Sequence, residues 1–228
     1  DIKDAKINND TLELTFNDGV TSKFEINKLI SELLDSENLT NTVKQKLWDS
    51  SLKNKPTYKF EENFNEKKEM YELLKSFYEY GFVIIKNVPT ENNYIVKFAN
   101  SIGSIRPTNF GEYFNVRSVP NPNDLAYTSL ALSPHTDNPY RKPVPCIQLL
   151  HCIENEVSGG FSTLVDGFKV ATYLKEKNPE YFNILTKVKV KFKFTDRDVV
   201  LENNGELIEI DEKGNFKQIR FSTRLDYV

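Results

Sequence analysis

Histidine is scarce in this chain of 228 residues: His135 and His151 are the only two, so a site needing three imidazoles is excluded and one needing two must use both. Cysteine is equally scarce. Cys146 and Cys152 fall in one run that reads as a strand, where six residues at about 3.3 Å each hold them roughly 20 Å apart, beyond disulfide reach. They are expected to be free thiols of a reducing compartment. There is no excess of either charge and no basic block: 30 Lys and Arg stand against 33 Asp and Glu, for a net charge of -3, which gives no electrostatic footprint for a nucleic-acid backbone or an anionic membrane. No apolar run approaches the roughly 20 residues that span a bilayer, and the first ten residues lack the basic and apolar regions of a secretory leader. The expectation is a cytoplasmic protein. Position 1 is not methionine, which is compatible with a processed product, a trimmed chain or an internal piece of something longer. With 39% hydrophobic and 28% charged residues, the composition excludes a wholly disordered chain.

Along the chain, Thr11 to Phe16 and Val20 to Phe24 are two β-like runs around Asn17-Asp18-Gly19, a turn whose glycine tolerates positive φ, and they predict a hairpin. Ile26 to Leu34 and Leu39 to Trp48 carry apolar residues at helical spacing, as in Ile26, Leu29, Ile30, Leu33 and Leu34, and predict a small helical cap. A polar stretch with Pro56, over residues 50 to 62, reads as a linker. The expected division is therefore a partial N-terminal unit, 1–50, and a larger domain, 51–228. Met70, Leu73, Leu74, Phe77 and Tyr78 form one apolar helical face, and Gly81 stands where a left-handed C-cap would end it. Phe82 to Ile85 reads as a short buried strand stopped by Pro89, and Thr90 as the cap of a helix through about Ile102. From Arg106 to Phe161, short runs punctuated by Pro, Gly and Asn read as strands, most clearly Cys146 to Ile153. Asp166 can cap a helix over Gly167 to Lys177 and Pro179 can open another, before Val188 to Thr195 and Lys217 to Ser222 return to strands. The fold class is α+β, built on a β-sandwich or barrel.

One triplet bears chemistry. In Ser133-Pro134-His135-Thr136-Asp137 an imidazole and a carboxylate lie two apart, on one face of an extended chain, and a nitrogen with an anionic oxygen suits Fe(II) with positions left open. The pair alone is weak, since a surface His beside an Asp is common. His151, in Gln148-Leu149-Leu150-His151-Cys152, reads as a structural imidazole hydrogen-bonded within the fold.

The stretches LAYTSLALSPHTDNPY and IQLLHCIENEVSGGFSTLVDGFKVA, together with LWDS, YGFVIIKNVP and IRFSTR in the same order, resemble the γ-butyrobetaine and trimethyllysine hydroxylase group of the Fe(II)/2-oxoglutarate oxygenases, within the taurine-dioxygenase-like superfamily. The resemblance covers nearly the whole chain. It implies a double-stranded β-helix (jelly roll) core with flanking helices, Fe(II) as the metal and 2-oxoglutarate as co-substrate. His135 and Asp137 match the first two members of the family's two-His-one-carboxylate triad. Ser162, after Gly159-Gly160-Phe161, matches a hydroxyl that helps bind the distal carboxylate of 2-oxoglutarate; a plain glycine turn is the alternative. Tyr127, Phe114 and Phe110 match three aromatics that surround the substrate's trimethylammonium group. A quaternary ammonium cannot donate a hydrogen bond, so ring faces must hold it, at about 0.5 to 2 kcal/mol per desolvated contact; core packing is the other reading of the two phenylalanines.

Three departures from the pattern matter. Asp124 stands where the animal γ-butyrobetaine enzymes carry an amide that contacts the substrate carboxylate, and two facing carboxylates would repel by about a few kcal/mol. A turn-forming Asp is the alternative. The Cys/His cluster that often binds structural zinc in the family's N-terminal domain has no counterpart, because no Cys or His precedes His135, so no zinc is expected. The family's distal histidine and co-substrate arginine lie well over a hundred residues beyond the H-x-D pair, whereas this chain ends about ninety residues past His135. His151 matches a non-ligand histidine. The expectation is thus an oxygenase truncated at both ends, this chain alone being inactive. Its substrate would be a small quaternary ammonium compound, γ-butyrobetaine to L-carnitine being the first candidate and trimethyllysine or a trimethylammonium phosphonate the alternatives. Two further readings stay open: a non-catalytic β-helix binding module, and an oxygenase of the wider superfamily acting on an anion. No nucleic-acid or membrane partner is expected, and a homodimer is the assembly considered.

Overall fold

The computed structural model describes residues 1–33, 43–61, 67–117, 131–156, 158–196, 199–222 and 226–227. The chain opens with three antiparallel strands, β1 (Ile2–Asn8), β2 (Thr11–Phe16) and β3 (Thr21–Glu25), in the order β1-β2-β3. The expected hairpin is β2–β3; β1 is an addition. Its side chains are all exposed, so it carries no alternation by which a sequence would show it. A helix, α1, follows over residues 26–33. The second expected helix of this region does not form over residues 43–48, and its start, 39–42, lies outside the described residues. Tertiary bonds compete with helix there: the Lys46 N–H donates to the Glu79 carbonyl at 2.7 Å, and the Trp48 indole donates to the Tyr80 carbonyl at 2.8 Å.

Helix α2 (Lys67–Tyr80) has the predicted apolar face, and Gly81 ends it at φ 74°, a left-handed conformation in which a side chain would be strained. Its N–H caps the Phe77 carbonyl at 2.7 Å. The stretch read as a linker contains β4 (Thr57–Lys59), which pairs in parallel with β5 (Ile84–Lys86). Strand β5 is not buried as expected; only Ile85 turns inward. Helix α3 (Tyr94–Ile102) begins four residues after Thr90, behind Asn93 at φ 68° with no side-chain cap. Leu73 and Phe98 bury the space between α2 and α3, with Tyr58, Phe60 and Ile85 packed against them.

The largest correction concerns residues 106–161. Among the described residues of this stretch there is no strand, only an isolated bridge between Thr108 and Gly111. Within the strand expected over 146–153 only Leu149 and His151 are half-buried, and Leu149 packs on the Leu73–Phe98 cluster. Extended backbone is not a ladder, however, and Pro143 and Pro145 remove two of the donors a ladder needs.

Helices α4 (Gly167–Lys177) and α5 (Pro179–Leu185) occupy their expected positions. Asp166 caps α4 by accepting the Phe168 and Lys169 N–H groups at 2.9 and 3.0 Å, and it accepts the Trp48 N–H at 2.9 Å as well. Strands β6 (Lys189–Asp196) and β7 (Val199–Glu206) pair antiparallel, with β10 (Asp226–Tyr227) on the far edge of β6. Strands β8 (Ile208–Ile210) and β9 (Phe216–Ile219) form a hairpin under α4 and α5, closed by Ala171, Phe182 and Ile208. The described strands thus fall into four small sheets, a mixture of helix and sheet with no closed barrel among the described residues.

The β6–β7 pair positions the site. Its registers set Phe192 opposite Asn203 and Phe194 opposite Leu201, so these four side chains share a face. Phe192 is fully buried there. The other face carries Lys191 and Lys193, both paired with Glu202 at 2.9 and 3.4 Å. On the inner face Gly205 leaves room for the Arg220 side chain, whose atoms would stand 3.0 Å from a Cβ at that position.

Candidate metal centre

The H-x-D triplet lies in an irregular segment, residues 131–137, that owes its shape to hydrogen bonds rather than to a ladder. The Nδ1 of His135 is 2.7 Å from the Ser133 carbonyl. A carbonyl can only accept, so in a neutral ring this contact goes with the tautomer protonated at Nδ1, the one that leaves Nε2 as the nitrogen able to bind a metal. That Nε2 lies 3.3 Å from Oδ1 of Asp137. Two donors bound side by side to one ion at bonds near 2.1 Å stand about 3 Å apart. The pair therefore fits two adjacent coordination positions of a first-row metal. No group of three or more His, Cys, Asp or Glu side chains able to hold a metal occurs among the described residues. His135 and Asp137, two of the three protein ligands that the resemblance implies, thus lie side by side.

Beyond the pair, the segment is tied on both sides. The Thr136 N–H donates to the Phe221 carbonyl at 2.7 Å, and the Phe221 N–H donates to Oγ1 of Thr136 at 3.0 Å. After Asp137 the chain turns at Asn138, φ 53°, whose side-chain oxygen accepts from the Tyr140 hydroxyl at 2.7 Å and from Nε of Arg141 at 3.2 Å. Asn203, on the inner face of β7, donates through Nδ2 to the carbonyls of Pro139 and Arg141 at 3.0 and 2.9 Å. The Arg141 guanidinium also donates to the Asn109 side chain. Upstream of Phe221, Arg220 donates to Glu209 at 2.6 Å and to the Glu206 carbonyl at 3.1 Å. That guanidinium, with Lys217 at 3.1 Å, holds the Glu209 carboxyl below the usual carboxylate range by favouring its charged form.

The aromatics expected around a cation are partly assembled. Phe110 and Phe114 have ring centroids 5.5 Å apart, tilted by 46°. Phe110 is half-buried, with its edge on Phe194 at 5.7 Å, whereas Phe114 is half-exposed and presents ring surface to solvent. Phe194 stacks at 4.9 Å on Tyr140, three residues past Asp137, so one line of rings runs from the H-x-D turn to the expected cage positions. Tyr127 and Asp124 lie outside the described residues. Ser162 is exposed and makes no hydrogen bond among the described residues; it follows Gly159 and Gly160 at φ 110° and 65°. His151 is half-buried as expected, but its Nε2 is buried with no hydrogen-bond partner among the described residues. That differs from the bonded imidazole predicted.

Sequence reasoning passed over Thr136, Tyr140, Phe194, Asn203 and Phe221. Tyr140 was within the quoted HTDNPY motif, and Phe194 shows as the third inward position of the Val190, Phe192, Phe194 alternation. Asn203 had no signal, since its partners are main-chain carbonyls 62 and 64 residues away.

The family profile described as "Taurine catabolism dioxygenase TauD, TfdA family" matches residues 37–226. The chain is 35% identical over 156 residues, 68% of its length, to a γ-butyrobetaine dioxygenase of Pseudomonas sp. (strain AK-1), covering 41% of that protein. Over 198 residues, 85% of the chain, it is 31% identical to human mitochondrial trimethyllysine dioxygenase, covering 47% of it. With human γ-butyrobetaine dioxygenase the identity is 34% over 180 residues, 77% of the chain and 46% of that enzyme. The chain thus spans less than half the length of these relatives. No described helix is long and apolar enough to cross a membrane. With a profile match over most of its length and an imidazole and carboxylate already set side by side, the chain belongs to the TauD/TfdA dioxygenase family.

Proposed function

We propose that the full-length protein is an Fe(II)- and 2-oxoglutarate-dependent dioxygenase that hydroxylates a small quaternary ammonium compound. The observation that carries this reading is the His135–Asp137 pair, with Nδ1 2.7 Å from a carbonyl and Nε2 3.3 Å from the carboxylate oxygen. Iron and 2-oxoglutarate, when bound, would let O2 act as the oxidant: one oxygen atom would go into succinate as 2-oxoglutarate loses CO2, and the other would replace an unactivated C–H bond by C–OH. The chain's own residues hold and orient. His135 offers a neutral nitrogen and Asp137 an anionic oxygen from one side, which leaves the remaining coordination positions to other ligands. Phe110 and Phe114, with Tyr127, would present ring faces to a trimethylammonium group and so direct one carbon toward the metal, which is catalysis by positioning. Ser162 would donate its hydroxyl to the distal carboxylate of 2-oxoglutarate. Asp124 would bear on the substrate's other end, as a charge disfavouring a carboxylate there.

The first candidate substrate is γ-butyrobetaine, giving L-carnitine; trimethyllysine is the second, because relatives of both names match at similar identity. The proposed organisation is an N-terminal unit over 1–50 and an oxygenase domain of double-stranded β-helix type over 51–228. The free, exposed thiols of Cys146 and Cys152 favour a cytoplasmic location. The test is succinate formation by the full-length protein across a panel of trimethylammonium compounds. Turnover dependent on Fe(II) and on one of these substrates is expected, and His135→Ala should abolish it. Undiminished turnover in that variant would show the metal assignment to be wrong.

A further inference from the structure

We propose that Thr136 is a positioning residue for the metal: its N–H and its hydroxyl clamp the H-x-D segment to Phe221 and so fix the separation of His135 and Asp137. The inference rests on the reading of those two residues as iron ligands and extends it to the group that sets their geometry. The side chains of His135 and Asp137 meet through Nε2 and Oδ1 at 3.3 Å, while the hydroxyl of Thr136 between them is taken up by the Phe221 main chain.

The two bonds to Phe221, 2.7 Å from the Thr136 N–H and 3.0 Å to its Oγ1, form a closed ring. A side-chain oxygen stands where a strand pair would use a main-chain carbonyl. A main-chain rung tolerates any residue; this one needs an acceptor one carbon beyond Cα, which Thr and Ser supply. The Phe221 end is itself tied down by its neighbours. Arg220 before it is fixed by Glu209 and the Glu206 carbonyl, and Ser222 after it is buried. With the hydroxyl removed, the segment keeps one bond and can pivot about it, so the 3.3 Å separation is no longer enforced.

The test uses full-length protein and Co(II) as a probe, titrated by its visible absorption, with the melting temperature of every variant measured alongside. Thr136→Val keeps the shape and removes the acceptor; it should weaken Co(II) binding by about tenfold or more, the scale on which outer hydrogen-bond partners of metal ligands act, while Thr136→Ser stays within about threefold of wild type. Wild-type affinity in Thr136→Val, or a loss in Thr136→Ser equal to that in Thr136→Val, overturns the proposal. Should Thr136→Val not fold, Thr136→Ala is read in the same way, and wild-type affinity there overturns it too. His135→Ala and Asp137→Ala separate the two levels of the argument. If both bind Co(II) as wild type does, the iron reading itself falls; if both lose it while Thr136→Val does not, the positioning role alone falls.

Discussion

Residues 131–141 and 146–165 are neighbouring stretches with no regular secondary structure among their described residues, yet they are held in different ways. The first is bonded to distant chain at Thr136, Pro139 and Arg141, and it buries Pro139 and Tyr140. The second turns apolar side chains outward: Leu150 is 70% exposed and Phe161 92%, with Ile147, Leu164 and Val165 also exposed. Irregular backbone is thus no measure of looseness. Cross-links of a few well-placed polar groups can make a coil as determinate as a strand, whereas a coil that turns large apolar side chains outward presents the kind of surface that other protein covers.

The contrast can be broken most sharply at Tyr140. Tyr140→Ala removes a buried ring stacked on Phe194 and should lower stability by about 3 kcal/mol, read by denaturant unfolding; a loss under 1 kcal/mol would mean the turn is not anchored through that ring. Glu209→Gln weakens the support of Arg220 and should cost about 1 kcal/mol at neutral pH, discounted for the partial exposure of the pair. Because the folded carboxyl titrates below its usual value, its contribution is present above the ordinary carboxylate range and is lost as pH falls through the folded value. Wild type and variant should therefore converge in acid, and a pH-independent gap would contradict the ion pair. The smallest effect belongs to the other stretch: Phe161→Ser should change stability by less than about 0.5 kcal/mol, and a large loss would show that this ring is packed in solution.

What the sequence made legible divides along the same line. Elements that carry their own instructions are in place: α2 with its apolar face and Gly81, α4 behind Asp166, α5 opened by Pro179, and the β2–β3 hairpin. Their signals are local caps and periods. The H-x-D pair was equally legible, because two residues of one segment needed no distant information to share a face. Strand β1 and the clamp residues were not. Asn203 and Phe221 act through main-chain atoms far away in sequence, which leave no compositional trace. The strands expected over 106–161 are absent among the described residues for a related reason: short runs punctuated by Pro, Gly and Asn mark chain breaks, while a ladder also needs a neighbour of matching register.

The bridge between Thr136 and Phe221 spans 85 residues, and that has a temporal meaning. During synthesis at about 5 to 20 residues per second, His135 and Asp137 exist for about 4 to 17 s before the Phe221 that bonds Thr136 between them is made. The segment that carries both side chains is tied down there only as the later chain docks.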